Sequence, residues 1–185
     1  MRRTTRWGLA VALLLPFAAC SGSPPPPPPP PTPVPAAPVL SQRDRDFINQ
    51  AATGGLAEIR LGQLAIQQAT SPAVRKFGQH MIDQHTRVDQ QLGEIAQARG
   101  VTLPSTLDPA QEEIMAQLAE EHGSRFNLDY LHNQVAAHQA QLELFQQEVS
   151  DGTDADLKAF AAQTIPVIQR HLAQAQRLLG SHRLR

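Results

Sequence analysis

The 185-residue sequence has a single cysteine, Cys20, so no disulfide can close within the chain. Aromatic residues make up only 4% of it. So few rings, with much Ala, Leu and Gln, suit helix-on-helix packing better than a β-sandwich. Neither sign of charge dominates: the formal net charge is -1, which leaves no electrostatic footprint for nucleic acid. Proline is scarce beyond residue 40, where only Pro72, Pro104, Pro109 and Pro166 occur, so that region is free to be helical. There is no G-x-S-x-G, Cys-His pair, phosphate-binding loop or dinucleotide fingerprint. Nucleophilic catalysis therefore has no constellation, and the chain reads as a binding or interaction protein rather than an enzyme. No internal repeat of fixed short period is present.

The N-terminus carries what the rest lacks. Arg2, Arg3 and Arg6 precede the apolar run Leu9 to Phe17, which is too short to anchor in a bilayer as a span. Residues 1–19 read as a signal peptide, ending in Phe17-Ala18-Ala19 before Cys20. This end resembles a bacterial lipobox, with Phe17 replacing the usual Leu, and implies lipidation of Cys20 as the mature N-terminus. Ser21 is compatible with transfer to the outer membrane. Residues 20–40 then form a stalk. Pro24 to Pro31 is unbroken proline, followed by Pro33, Pro35 and Pro38. Such a run takes polyproline II, and at ~3.1 Å per residue holds the following domain off the membrane. The expected partner is thus the membrane, through a lipid, on the periplasmic face of the envelope. A homodimer stays open.

Residues 41–180 read as an all-α domain, an antiparallel four-helix bundle with one short extra helix in the central connection, and 181–185 as a tail. The first helix spans about Ser41 to Ala69, opened by a capping-box-like Ser41 and Asp44. Gly54, Gly55 and Gly62 weaken it but permit close approach of a neighbour. The second begins with Ser71 as N-cap and Pro72 at the first helical position, and stops at Gly100. Asp108-Pro109 opens a short segment to about Glu121. The third helix runs from Ser124 to Val149, and the fourth from near Thr153 to Leu179 before Gly180. Pro166 inside the fourth predicts a kink, because the Ala162 carbonyl loses its partner. The two short turns force antiparallel hairpins.

The apolar stripes carry the chemistry. At 3–4 spacing the second helix gives Val74, Met81, His85, Val88 and Leu92. The third gives Leu131, Val135, His138, Leu142 and Phe145. The fourth gives Leu157, Thr164, Ile168, His171 and Ala175. Each has one histidine well inside it, and the first helix has Glu58 on its stripe. A single such histidine is most simply a hydrogen-bonded core residue. Four polar groups on four helices are candidates for a shared site, as a buried network or as metal ligands, because buried polar groups need partners. Imidazoles and a carboxylate suit iron, zinc, copper or manganese. Counting from the turn near Thr70 places Glu58 and His85 at one level, facing each other. Counting from Gly152 puts His138 and His171 about 7 Å apart in level, so that His171 could fall outside the cluster. Metal affinity is expected to fall below about pH 6.5, where free histidine protonates. His80 and His132 fall off the stripes, His122 sits near a helix end and His182 in the tail, and all four read as solvated.

Several short stretches also resemble a known family. They are Asp46-Phe47, Gly55-Leu56-Ala57-Glu58 with Leu61-Gly62, Ser71-Pro72-Ala73-Val74 with Phe77-Gly78, Met81 with His85, Gly100-Val101 with Leu103-Pro104, Tyr130-Leu131, His138, and Phe160-Ala161 with His171-Leu172. In this combination, residues from about 43 to 179 are similar to the bacterial family called domain of unknown function 4142, of the ferritin-like superfamily. The resemblance implies a ferritin-like four-helix fold in an exported protein and no established activity. The paired Glu-x-x-His of di-iron members of that superfamily is missing: Ile82, Val135 and Ile168 stand three residues before His85, His138 and His171.

Overall fold

The computed structural model describes residues 40–183. The expected leader, Cys20 and the proline-rich stalk lie outside the described residues, as do the last two residues of the tail.

Most helix starts have a local cause. In α1 (Gln42–Gln68) Ser41 and Asp44 cap each other reciprocally: the Ser41 hydroxyl accepts the Asp44 N–H, and the Asp44 carboxylate accepts the Ser41 N–H at 3.1 Å. In α2 (Pro72–Ala98) Pro72 takes the first helical position, but the Ser71 side chain makes no capping bond. The α2 terminus is a Schellman turn. Gly100 adopts φ 69°, its N–H reaches Gln97 O at 3.0 Å, and Val101 N–H reaches Ala96 O at 2.9 Å. Asp108 caps α3 (Pro109–Glu120) by accepting Gln111 N–H at 2.8 Å. α4 covers Gly123–Asp151 and α5 covers Ala155–Arg183. Among the described residues the structure is helical, with no strand beyond an isolated bridge between Ala69 and Gly123.

The last helix differs from expectation at both ends. It starts two residues after Thr153, because Asp154 takes the capping role and accepts the N–H groups of Asp156 and Leu157 at 3.0 Å each. Thr153 is instead held by Asp44, through its backbone N–H at 2.9 Å and its hydroxyl. At the far end α5 continues through Gly180, which does not adopt the positive φ that ends α2 at Gly100. The helix is also continuous across Pro166. Pro166 and Ala162 are both exposed, so the carbonyl freed by the proline is on the side open to water.

α1 packs along α2, and α4 along α5; α1 against α4 and α2 against α5 close the set. Phe47 near the start of α1 meets Phe145 near the end of α4, with ring centroids 5.0 Å apart. At the end of α2 the Arg99 guanidinium bonds both Asp154 oxygens, at 2.6 and 2.7 Å, beside the start of α5. These neighbours are therefore antiparallel. The connection carrying α3 leads from the Arg99 end to the other end, where Gln68 Nε2 donates to Ala119 O at 3.0 Å.

The apolar core is divided in two. One cluster holds Phe47, Ile48, Leu92, Phe145, Leu157 and Ile168. The other holds Leu64, Phe77, Met81, Phe126, Tyr130 and Leu131. On α2, His85 falls between Met81 and Leu92; on α4, His138 falls between Leu131 and Phe145; on α5, His171 falls between Ile168 and Ala175. Each long helix thus crosses a polar layer between two apolar ones.

Candidate metal centre

His85, His138 and His171 come together in that layer. One ring nitrogen of each lies within 4.8 Å of the others, and all three residues are buried. His138 Nε2 and His171 Nδ1 are 3.3 Å apart. The level mismatch expected for His171 is absorbed by the late start of α5. His138 lies thirteen residues from the end of α4 and His171 sixteen from the start of α5, a difference of about 4.5 Å at ~1.5 Å per residue, which the rings span.

The environment fixes how His138 presents itself. Its Nδ1 lies 2.8 Å from the Gln134 carbonyl one turn earlier and donates to it, which leaves the Nε2 lone pair for the cluster. This is the outer-sphere arrangement that orients metal-ligating imidazoles. Glu58 stands behind the same nitrogen, Oε1 being 3.8 Å from His138 Nδ1, while Glu58 Oε2 accepts from Gln134 Nε2 at 2.6 Å. Glu58 therefore faces α4. No hydrogen bond or ion pair joins it to His85, contrary to the expected facing pair. Glu58 falls outside the three-histidine set and acts on it through His138 and Gln134.

Burial sets the charge states. It drives the His85 imidazole well below the ordinary histidine range, with His138, His171 and His80 adding in the same direction. Burial, then His138, His80 and Arg170, lower His171 to about 3. Both rings are neutral at physiological pH, the form that binds metal. A charge change near 6.5, the free histidine value, therefore does not apply to His85 and His171, which stay unprotonated at lower pH. Burial raises the Glu58 carboxyl, against the opposing pull of His138 and the Gln134 bond. His85 Nε2 is buried and has no hydrogen-bond partner.

Three contributors were not legible as site residues. His80, only partly exposed, packs edge-on against His171 with centroids 5.3 Å apart. Gln134 serves both Glu58 and His138; its only signal is its place one turn before His138. Asp89, one turn after His85, lies against Gly55 of α1, where an added Cβ would overlap its carboxylate. Burial raises that carboxyl to about 7. The i, i+4 offset from His85 was a usable signal for Asp89. Of the other histidines, His122 and His132 are exposed, and His182 Nδ1 is bonded to Leu178 O at 3.0 Å.

A family model described as a domain of unknown function, DUF4142, matches residues 29–178, and the chain belongs to that family. No curated protein matches the chain. Two solved structures share the fold. One is a DUF305 fragment from Deinococcus radiodurans, with a TM-score of 0.70 at 12% identity, over 78% of this chain and 99% of that one. The other is a conserved hypothetical protein, rv2844, from Mycobacterium tuberculosis, with a TM-score of 0.60 at 20% identity, over 75% of this chain and 91% of that one.

Proposed function

We propose that this is an exported, lipid-anchored envelope protein whose domain, a ferritin-like four-helix bundle, binds one transition-metal ion through His85, His138 and His171. The observation that carries the metal reading is the unpartnered, buried Nε2 of His85 beside two further imidazoles whose ligand atoms all lie within 4.8 Å. A buried nitrogen without a partner is costly, and an ion that three neutral imidazoles share removes that cost. Metal–nitrogen bonds of about 2.0–2.1 Å place tetrahedral ligands about 3.3 Å apart, the spacing already present between His138 and His171. Zinc, copper and iron suit an all-imidazole set; manganese prefers more oxygen. Glu58 and Gln134 hold His138 in its ligating tautomer. The ferritin-like reading rests on the antiparallel neighbours and the single long connection through α3.

Elemental analysis of protein purified without an affinity tag tests the metal. About one ion per chain is expected, lost in His85→Ala/His138→Ala/His171→Ala. Metal-free protein that also fails to take up Zn2+, Cu2+, Fe2+ or Mn2+ in dialysis refutes it.

A second reading has its own observation. The 3.3 Å contact lets His171 Nδ1–H donate to His138 Nε2, and Gln134 donates to Glu58, so much of the layer is satisfied as a buried network in a structural or interaction module. In that case the triple variant loses stability and no metal is found.

The anchor is tested on Cys20. Cys20→Ser is expected to leave the precursor uncleaved or release the protein from detergent-extractable membranes. Unchanged processing and membrane retention refute lipidation.

A further inference from the structure

One turn beyond His85, Asp89 projects from the same face of α2. Gly55 makes room for its carboxylate across the α1–α2 contact, since any Cβ there would overlap it. Asp89 Oδ1 is buried and has no hydrogen-bond partner. Next to it lies a cavity of about 10 Å³ bounded by His85, His171, Asp89, Thr164, Gln141 and Phe145. Its wall is mainly apolar but includes the polar side chains of Asp89, Thr164 and Gln141, and a void of that size has room for one water molecule. The Thr164 hydroxyl spends its hydrogen on Phe160 O at 2.8 Å, so its oxygen is left as an acceptor. The void is therefore flanked by acceptors that lack a donor and by two of the three histidines.

Three imidazoles fill three positions of a four-coordinate ion and leave the fourth to an exogenous ligand, the pattern of open rather than closed zinc sites. We propose that this cavity is that fourth position, where a single water is bound to the ion and donates a hydrogen bond to Asp89 Oδ1. The inference rests on the three-histidine metal reading and extends it. It assigns the centre an exchangeable ligand of the size of water. Asp89 is a positioning residue, holding the ligand without binding the metal.

Pulsed electron paramagnetic resonance of the Cu2+-loaded full chain in D2O separates the two readings. Remote nitrogen couplings from imidazole report the histidine set; a deuterium coupling reports coordinated water. Both are expected in the wild type. Asp89→Leu removes the acceptor and is expected to lose the deuterium coupling while keeping the nitrogen couplings. Asp89→Asn retains an acceptor oxygen and is expected to keep both. If Asp89→Leu fails to fold, Gly55→Ala, which displaces the carboxylate without changing its chemistry, is expected to give the same selective loss. Nitrogen couplings without a deuterium coupling in the wild type overturn the proposal. So does a deuterium coupling unchanged in Asp89→Leu or Gly55→Ala. Absence of imidazole couplings overturns the metal reading itself.

Discussion

Alanine at Gly62 puts a Cβ 2.7 Å from the Gly78 carbonyl oxygen and 2.9 Å from Ile82 Cγ1; alanine at Gly78 puts one 2.8 Å from the Gly62 oxygen. The obstructing oxygens belong to helix backbone, which cannot rotate away, so α1 and α2 must separate. Overpacking of this kind costs about 1–3 kcal/mol, towards the upper end where backbone is the obstacle. Against it stands about 1 kcal/mol gained when glycine in a helix becomes alanine. The net expectation is about 1–2 kcal/mol of destabilisation for Gly62→Ala and for Gly78→Ala. Gly54 and Gly180 are internal controls. A Cβ at Gly54 meets only the Gln141 amide nitrogen at 3.4 Å, and at Gly180 nothing within 4 Å. Those substitutions gain the propensity term alone, about 0.5–1 kcal/mol of stabilisation. Urea denaturation followed by far-UV circular dichroism reads the contrast. A gap of about 2 kcal/mol separates the midpoints by roughly 1 M at an ordinary m-value. Gly62→Ala as stable as Gly54→Ala would refute the close helix contact.

Arg99→Met leaves Asp154, whose side chain is 5% exposed, without its bidentate partner, and is expected to cost about 3 kcal/mol in the same assay. Glu148 supplies a pH test. Burial, then the neighbouring Asp44, raise its carboxyl to about 7, so its favourable balance is complete below the unfolded value near 4.5 and is lost as pH rises towards 7. Glu148→Gln is therefore expected to be more stable than wild type at pH 8, by on the order of 1 kcal/mol after solvent screening, and to lose that advantage at pH 4; equal stability at both pH values refutes the assignment. For the metal centre, three histidines at the free value would cut affinity roughly 600-fold between pH 7 and 5.5, whereas the depressed His85 and His171 are expected to remove their share and leave a much smaller fall over the same interval. Competition titration with a zinc chelator at the two pH values distinguishes these outcomes.

Periodicity made the long helices legible because each has an apolar face broken only by a polar residue midway, and capping made several of their ends legible because the signals are local. Ser41 with Asp44, Pro72, Asp108 and Gly100 all act within one turn of themselves. Asp154 was missed as a cap because Asp44 claims Thr153, a contact between residues more than a hundred positions apart. Pro166 and Gly180 carry local signals for a kink and a stop. The structure places the first on an exposed face of a continuous helix and carries that helix through the second.

The histidines on the apolar stripes were visible for the same reason as the helices: a polar residue that breaks a periodic apolar row is buried by its neighbours. The sequence alone thus placed one imidazole on the apolar stripe of each of α2, α4 and α5, and Glu58 on or at the edge of that of the first helix. Tertiary structure decided which of them meet. Rotation of α1 turns Glu58 to Gln134 and His138 rather than His85, and the late start of α5 brings His171 close enough in level for its ring to reach His138. The place of Asp89 against Gly55, and the water-sized cavity beside it, also depend on how closely two helices approach. Spacing along one chain fixes a residue's face on its own helix. The relative rotation and level of two helices are set by the packing of all their side chains together, and no short stretch of sequence contains that information.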